Sequence, residues 1–502
     1  MELKFNRSFW LLLLLGVALR CIAINQPLID AHLIRQCQTA ATTRYLIDTP
    51  GFHLSSQAGW MGDLDAPYIL ELPLYNYLVM VVNYLTSNLD LSGKVTSILL
   101  WAASFICLQF IWRRVLDSRQ SFWANLLFLL APLSVFYGQA FMPEMLVQTL
   151  ALAFVLLVLR YDEKPSLLRW SLCAGVGLIG SLVKLPEIIH LYLLLAFFVF
   201  RREGWKALLR PRYLAGAVLT VFVLRGWSHY VDSVNSIYFP EFTSREVLPY
   251  VIGSWASRLQ FQRWAIVCLW LGAFIVPGPP LLATLYGLYL SVRKYRDQFL
   301  RAWLISVAVA YLLWFGTGAA AQSYYNLLAL PVLSALFGIG MREIFAKSWI
   351  RAWPRVATVS AIALVLLPAI PVWKYLFKQD RQILAAARWA KESTLRDDVV
   401  LFRINHRPDM AIYPYNTVPP YYSERPAFIW TKNIPDVVAP KALDHASYAI
   451  VTTPPPPATD TLAFVNRFRG KQPPLPESTE WLERSGFRIL AMEKGFVVYR
   501  KE

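Results

Sequence analysis

Apolar residues follow two different patterns along the chain, with a change near residue 379. Before that point the apolar runs are long, and many approach the roughly 20 residues that a helix needs to cross a bilayer. Short polar connections separate eleven such runs, at 8–24, 95–112, 122–139, 145–160, 169–183, 186–200, 213–228, 264–290, 301–318, 324–341 and 356–373. The pattern predicts an α-helical polytopic membrane domain over residues 1–378, with about eleven transmembrane helices.

Beyond residue 379 the apolar runs shorten to about four residues and alternate with helical patterns. Runs at 399–402, 448–451, 487–490 and 496–499 are typical of strands, and segments 382–392 and 479–485 are typical of helices. We therefore expect a small soluble α/β domain over residues 379–502.

Composition and charge agree with a membrane protein and set its orientation. Hydrophobic residues make up 56% of the chain and charged residues only 16%, whereas soluble domains carry about 25% charged residues. The net charge of +17 comes mainly from cations in every second connection, which is the positive-inside pattern. The basicity therefore indicates topology and excludes a nucleic-acid partner. We expect a multi-pass protein of the plasma (inner) membrane, with its N-terminus cytoplasmic and residues 379–502 outside.

The first outer connection, residues 25–94, is long enough to carry its own elements. Asp30 precedes a predicted helix at 31–47, on which His32, Arg35 and Gln36 begin a polar stripe at helical spacing. A second predicted helix at 72–84 follows the polar loop that contains Glu71. Both helices are expected to lie at the membrane interface.

Several ionisable or polar residues fall at the outer ends of the predicted spans. Because charged groups are costly at that depth, each is a candidate functional residue. The candidates are Asp30, Glu144, Lys184, Gln322, Tyr324 and Tyr325. Structural roles stay open for them: a helix cap for Asp30 or Glu144, a snorkelling cation for Lys184 and an aromatic belt for the tyrosines. His32 and Arg35 could likewise form a solvated stripe.

These candidates belong to separate segments but share one side of the membrane. The sequence therefore predicts a pocket at membrane level that joins acids, cations and tyrosines. Cations in such a pocket can hold a lipid phosphate while a carboxylate takes the proton of an acceptor hydroxyl.

Five short motifs occur in an order that resembles a known family. They are Asp30-Ala31-His32 with Arg35-Gln36, Glu71-Leu72-Pro73-Leu74-Tyr75, Met142-Pro143-Glu144-Met145, Lys184-Leu185-Pro186 and Ser323-Tyr324-Tyr325-Asn326. In this topology they resemble the GT-C superfamily of polytopic glycosyltransferases. The resemblance is to the branch that contains protein O-mannosyltransferases and the lipid A aminoarabinose transferase.

The resemblance implies an inverting transfer of a sugar from a polyprenyl-phosphate donor to an acceptor hydroxyl at the outer face. By this resemblance Asp30 is the general base and Glu144 the second acid. Some relatives bind a divalent metal ion at such acids, so Asp30 and Glu144 are also the candidate metal ligands, and no other cofactor is implied. The candidates for the donor phosphate are Arg35, Lys184, Tyr324 and Tyr325, supported by His32, Gln36, Glu71 and Gln322.

The sequence leaves the acceptor and two other classes of function open. The acceptor is a lipid-linked glycan, a polysaccharide or a protein, and membrane lipids are the remaining partners. A lipid-linked glycan polymerase or ligase would share the topology but depend on Arg and His rather than on Asp30. A lipid-glycan flippase or transporter would place charged residues deep within several spans.

Overall fold

The computed structural model describes residues 7–57, 59–295, 297–313, 318–405, 415–431, 434, 438–453 and 479–502. Contacts between residues divide the chain into two compact units. One unit comprises Met1–Gln26 and Leu70–Phe377, and we call it the helical unit. The other comprises Pro27–Ile69 and Lys378–Glu502, and we call it the sheet unit.

The helical unit consists mainly of apolar helices, and each predicted span overlaps at least one of them. Its longer helices are α1 (Arg7–Cys21), α3 (Leu74–Thr86), α4 (Leu89–Val115), α5 (Ser118–Leu130), α7 (Glu144–Glu163), α8 (Leu167–Glu203), α9 (Pro211–Asn235), α13 (Pro279–Arg293), α14 (Gln298–Leu313), α16 (Leu330–Ile344) and α18 (Pro354–Leu376). Shorter helices are α6 (Pro132–Tyr137), α10 (Ser244–Ile252), α11 (Trp255–Arg258), α12 (Phe261–Leu269), α15 (Gly318–Ala321) and α17 (Ser348–Arg351). Within the described ranges, six helices are long and apolar enough to cross a membrane, or seven with one bent pair.

Helix α8 contains two of the predicted spans, which fold back on each other at Lys184. Its 37 residues would reach about 55 Å as one helix, which exceeds the hydrocarbon thickness of about 30 Å. Lys184 has non-helical dihedral angles (φ −160°, ψ 83°), and Pro186 follows it. The Ser181 hydroxyl lies 3.3 Å from the Tyr192 hydroxyl, and a Cβ on Gly177 would lie 2.8 Å from the same hydroxyl. The two halves therefore form a helical hairpin, as the separate runs predict.

The predicted span at 264–290 is broken by a sharp bend. α12 continues as a π-helix, Trp270–Ile275, and the chain then bends by 107° before α13. The bend contains Pro277, Gly278, Pro279 and Pro280, and prolines remove backbone donors and exclude the preceding residue from the helical region. Gly278 has φ +69°, which a residue with a side chain rarely adopts.

Ion pairs connect the predicted basic connections at one end of the helical unit. Arg114 pairs with Glu163 at 2.5 Å, and Arg201 pairs with Asp162 at 2.9 Å. Two further pairs, Lys294 with Glu343 at 3.0 Å and Arg342 with Asp117 at 3.3 Å, connect α13, α16 and the start of α5. The basic connections that the sequence assigns to one side therefore do meet at one end of the bundle.

Two buried cations hold backbone carbonyls near the opposite end. The Arg20 guanidinium lies 3.6 Å from the centre of the Trp101 ring and donates to the Ser134 carbonyl at 2.8 Å, next to the break between α5 and α6. The Lys94 ammonium donates to the carbonyls of Ala23 at 2.9 Å and Gln26 at 2.5 Å. Lys94 thereby fixes the chain that leaves α1.

Among its described residues, the sheet unit contains five strands that form one mixed sheet. Its strands are β1 (Val400–Ile404), β2 (Ala427–Ile429), β3 (Tyr448–Thr452), β4 (Phe487–Glu493) and β5 (Phe496–Lys501), in the order β2-β1-β3-β5-β4. β1 pairs in parallel with β2 and β3, and β5 pairs antiparallel with β3 and β4. Its helices are α2 (Leu33–Asp48), α19 (Arg381–Ser393), α20 (Val418–Ser423), α21 (Ala439–His445) and α22 (Glu480–Arg484). The four predicted strands and the two predicted helices of the tail are present. The pattern of apolar runs did not predict the three-residue strand β2.

Residues 27–69 pack onto the C-terminal residues, within the sheet unit. The Gly62 amide donates to the Ala427 carbonyl at 2.8 Å, and the His445 ring lies 2.9 Å from the Asp63 carboxylate. Arg44 donates to the Tyr421 carbonyl at 2.8 Å. The sheet unit therefore includes most of the first outer connection, residues 25–94. The predicted boundaries, 1–378 and 379–502, assign this connection to the membrane domain.

Candidate active site

Asp30 lies in the sheet unit, three residues before α2, and its side chain is buried. Only 5% of Asp30 is exposed to solvent. The Gln36 side-chain amide donates to Asp30 Oδ1 at 2.5 Å and to the Ala31 carbonyl at 2.9 Å. His32, not Asp30, is the N-cap residue of α2, and the His32 side chain makes no capping hydrogen bond. The hydrogen bond from Gln36 orients the Asp30 carboxylate.

The polar stripe of α2 is mostly buried rather than solvated. Gln36, Thr39 and Thr43 are each less than 5% exposed, and the two threonine hydroxyls donate to carbonyls one turn earlier. Arg35 is half-buried and donates to Gln38 Oε1 at 3.1 Å. His32 has φ +58°, a left-handed conformation that few non-glycine residues adopt.

The C-terminal part of the sheet unit holds the segment that carries Asp30. The Leu28 amide donates to the Tyr422 hydroxyl at 2.6 Å, and the Asp380 amide donates to the Ile29 carbonyl at 2.8 Å. The two residues before Asp30 are therefore fixed by residues more than 300 positions away in the sequence.

An ion-pair group on α20 stabilises the same packing. Glu424 pairs with Lys391 at 2.7 Å and with Arg44 at 4.0 Å. Burial by itself would raise the pKa of the Glu424 carboxyl, but the hydrogen bond from Lys391 and the charge of Arg44 outweigh it and hold that pKa below its usual value.

In the helical unit, Glu144 is fully buried at the start of α7, with 0% exposure. The preceding loop, from Gly138 to Pro143, is buried as well. The Ser97 hydroxyl donates to the Ala140 carbonyl at 2.6 Å and lies 2.8 Å from the Tyr75 hydroxyl. This packing fixes the position from which Glu144 starts the helix.

Lys184, at the turn of the α8 hairpin, contacts two carboxylates. Its ammonium lies 2.6 Å from Glu144 Oε1 and 2.9 Å from Glu187 Oε1. All three side chains are almost fully buried, with exposures of 11%, 0% and 5% respectively. We call Glu144, Lys184 and Glu187 the acid–lysine cluster. With two acids ionised and one lysine protonated, its formal charge is −1.

The predicted tyrosines cover the lysine of this cluster. The Lys184 ammonium lies 4.1 Å from the centre of the Tyr324 ring and 5.1 Å from that of Tyr325, within the range of cation–π attraction. Gln322 is half-buried at the start of the same segment. Glu71 is also half-buried, and the amide of the next residue, Leu72, donates to the Leu182 carbonyl at 3.2 Å, beside the hairpin turn.

Two polar residues of α8 were not predicted as site residues. Glu187 is one and His190, which is 2% exposed, is the other. Together with Gln148 they line a small cavity of about 10 Å³, which is roughly the room that one water molecule needs. No described residue bonds to His190 Nδ1. Glu187 follows Lys184 by three residues and His190 follows Glu187 by three, and this helical spacing was the available signal.

The site residues that the structure describes do not fit a divalent metal ion. No group of three or more His, Cys, Asp and Glu side chains is arranged to hold a metal within the described residues. The ammonium of Lys184 already lies between the two carboxylates of the acid–lysine cluster, where a metal would need them. We therefore derive no step through a metal at Asp30 or Glu144.

The predicted site residues thus fall into two groups. Asp30, His32, Arg35 and Gln36 lie on or next to α2 in the sheet unit. The helical unit brings together the acid–lysine cluster and the tyrosines that cover it, with Glu71 and Gln322 in the same unit.

Comparison with known proteins shows which fold the chain has. Residues 65–228 match the family model described as dolichyl-phosphate-mannose-protein mannosyltransferase. The structure is similar to that of ArnT from Cupriavidus metallidurans bound to undecaprenyl phosphate, with a TM-score of 0.65, 14% identity and 98% of each chain covered. It is also similar to the Archaeoglobus fulgidus oligosaccharyltransferase tethered with an acceptor peptide. There the TM-score is 0.53 and the identity 10%, with 90% of this chain and 70% of that chain covered. A search of curated protein sequences gave no match.

The chain is therefore a polytopic membrane protein with the GT-C fold. The resemblance to GT-C glycosyltransferases that the sequence motifs indicate is confirmed by the family model over residues 65–228 and by the fold over nearly the whole chain. The predicted fold class, many apolar helices followed by a small α/β sheet, is confirmed with it.

Proposed function

We propose that this protein is a membrane glycosyltransferase that moves a sugar from a polyprenyl-phosphate donor to an acceptor hydroxyl, with inversion and with Asp30 as the general base. The observation that carries the proposal is the buried carboxylate of Asp30, oriented by Gln36, in a chain with the GT-C fold. ArnT, similar over 98% of its length, was crystallised with undecaprenyl phosphate, which supports a lipid-phosphate donor.

A single carboxylate is sufficient for this reaction. The prenyl phosphate leaves with its negative charge, so its departure needs a cation rather than a general acid. The acceptor oxygen attacks the anomeric carbon from the opposite face as the C–O bond to phosphate breaks. Asp30 takes the hydroxyl proton during this attack. The configuration inverts because no glycosyl-enzyme intermediate forms.

Of the two cations predicted to bind the donor phosphate, Arg35 suits the role better than Lys184. The positive charge of Lys184 is already compensated within the acid–lysine cluster, so the cluster offers a phosphate no net positive charge. Arg35 follows Asp30 by five residues, and a guanidinium can donate two parallel hydrogen bonds to phosphate oxygens. We propose that Lys184, with Tyr324 and Tyr325, holds Glu144 in place.

Glu144 remains the second acid in this proposal. Its Oε1 accepts from Lys184, while its Oε2 has no hydrogen-bond partner among the described residues. A buried carboxylate oxygen without a partner is costly, and a hydroxyl group of the substrate would satisfy it. Glu144 is therefore proposed to bind a sugar hydroxyl.

The same reasoning gives a proposed orientation in the membrane. We propose that the protein lies in the plasma (inner) membrane and that the basic end of the helical unit faces the cytoplasm. This end carries the ion pairs of Arg114, Arg201, Lys294 and Arg342. Transfer then takes place on the outer face. The acceptor is a lipid-linked glycan, a polysaccharide or a protein.

The test is Asp30→Asn in membranes supplied with a labelled polyprenyl-phosphate sugar and candidate acceptors. Without a base at position 30, we expect transfer to fall by at least 100-fold, since general-base catalysis contributes about 10²–10⁴-fold. Asp65→Asn is the matched control in the same outer connection, because Asp65 is exposed and accepts from Gln57. Its activity should stay within twofold of wild type.

Two results would contradict the proposal. Unchanged transfer by Asp30→Asn would remove Asp30 as the base and would favour a glycan polymerase or ligase that depends on Arg and His. Absence of transfer by the wild-type protein from every prenyl donor, with all three acceptor classes supplied, would favour a flippase or transporter.

A further inference from the structure

The parallel part of the sheet has the topology at which open α/β sheets bind ligands. β2 and β3 lie on opposite sides of β1, so the chain leaves β1 in one direction and returns across it. Ligands bind outside the carboxyl ends of such strands, where the direction of the connections reverses. Here the strands end at Ile404, Ile429 and Thr452.

Two tryptophans lie at this edge, stacked on each other. Trp430 directly follows β2, and its amide donates to the Phe402 carbonyl at 2.8 Å. The centres of the Trp430 and Trp481 rings are 4.5 Å apart and the rings are inclined by only 14°. Both side chains are partly exposed, although a buried, stacked pair would contribute more to the stability of the sheet.

Polar groups adjoin the stacked rings. The Arg403 guanidinium lies 5.6 Å from the centre of the Trp481 ring and donates to Asn405 Oδ1 at 3.2 Å. The backbone amide of Asn405 donates to the Thr452 hydroxyl at 2.9 Å. This hydrogen bond joins the ends of β1 and β3. The indole N–H of Trp481 is buried and has no hydrogen-bond partner among the described residues.

A flat aromatic surface with amide and guanidinium donors beside it suits a sugar ring. One face of a pyranose carries C–H groups that pack against the electron-rich face of an aromatic ring. Its hydroxyl groups extend sideways, where side chains can donate and accept hydrogen bonds. The backbone bonds that fix Asn405 and Trp430 hold these groups in place before a ligand arrives, which lowers the entropy that binding costs.

We propose that Trp430, Trp481, Arg403 and Asn405 form a glycan-binding site at the carboxyl edge of β1, which takes up part of the acceptor away from the reacting hydroxyl. The proposal rests on the proposed function for the identity of its ligand as an acceptor glycan. Its geometry is independent of Asp30 and of the acid–lysine cluster. The proposal requires the acceptor to be a saccharide of more than one sugar unit.

The test applies the full-length protein in lipid nanodiscs to a printed array of bacterial surface glycans and of glucose, mannose and galactose hexasaccharides. We expect wild type to bind at least one glycan. Trp430→Ala and Trp481→Ala should each weaken that binding by at least tenfold, and Trp481→Phe, which keeps a ring face, by less than threefold. Trp389→Ala is the control, because Trp389 is a partly exposed tryptophan on α19 of the same unit; its binding should stay within twofold.

Three results would overturn the proposal. The first is that wild type binds no glycan of the array, and the second is that all three alanine variants lose glycan binding equally. The third is that AMP binds more tightly than any glycan and that Trp481→Ala weakens AMP binding to the same extent. The last would identify a nucleotide site. Transfer from a labelled prenyl donor, measured on the same samples, separates the two hypotheses. If the tryptophan variants selectively lose glycan binding but the wild-type protein transfers no sugar, only the proposed function is contradicted. If the wild-type protein transfers sugar but binds no glycan, only this site is contradicted.

Discussion

At the scale of single residues, the chemistry of Lys184 depends on its two partners. From the sequence alone, a lysine at the outer end of a span is predicted to be a snorkelling side chain or a phosphate ligand. In the structure its ammonium lies between Glu144 and Glu187, under two tyrosine rings. Burial makes such a group sensitive to the loss of any member, because an unpaired charge in a low-dielectric interior is costly.

Replacement of Lys184 by methionine tests this dependence. The two carboxylates would remain buried without a counter-charge, and we expect the free energy of unfolding to fall by about 3–5 kcal/mol. The measurement is thermal unfolding of the purified protein in detergent. The triple variant Lys184→Met, Glu144→Gln, Glu187→Gln removes all three charges and should regain most of the loss. Unchanged stability of Lys184→Met would mean that the carboxylates do not need the ammonium.

At the scale of elements, close helix packing depends on glycines that the sequence pattern does not distinguish from others. A Cβ on Gly287 of α13 would lie 1.8 Å from the Leu336 carbonyl oxygen of α16, and one on Gly340 would lie 1.9 Å from the Ala283 carbonyl oxygen. Small residues of this kind let two membrane helices approach until their backbones touch. Gly226 of α9, by contrast, has no atom within 4 Å of such a Cβ.

Alanine at Gly287 should therefore separate α13 from α16. We expect the free energy of unfolding to fall by about 1–3 kcal/mol, the usual effect of overpacking. The measurement is the Tm in detergent, which should be lower than that of wild type. Alanine at Gly226 adds the same methyl group in open space and favours the helix by its propensity, so its Tm should be equal or slightly higher. Equal Tm values for the two variants would contradict the close contact.

At the scale of the whole molecule, the candidate base belongs to the same compact unit as the C-terminal sheet. Leu28 and Ile29, directly before Asp30, are bound by Tyr422 and Asp380. The function of the C-terminal residues would then include the positioning of Asp30. A small displacement of a catalytic group can lower a rate strongly while the substrate still binds.

Tyr422→Phe tests this positioning role. Loss of one hydrogen bond costs about 1 kcal/mol, and we expect kcat for transfer to fall about fivefold while KM for the donor stays within twofold. Tyr499→Phe is the control, because Tyr499 is buried in the same unit and its hydroxyl makes no hydrogen bond to a described residue. A rise in KM with unchanged kcat, or equal effects in both variants, would argue against positioning.

The amino-acid sequence by itself determined the membrane helices, the basic end of the bundle and four of the five strands in the described part of the chain. Hydropathy, charge and periodicity are local properties, so runs of residues reveal them. Even the reversal at Lys184 was visible, because Pro186 and the polar residues around it interrupt an apolar stretch too long for one crossing. The prolines at 277–280 were equally visible, but the size of the bend was not.

Only the tertiary structure decided which distant residues meet. Glu144 precedes Lys184 by 40 residues and Leu28 precedes Tyr422 by 394, and no local pattern encodes these pairs. Glu187 and His190 were overlooked for the same reason, since their spacing on α8 gains meaning only beside Glu144 and the cavity. Side chains acquire their chemistry from neighbours brought together by packing, and packing is a property of the folded chain as a whole.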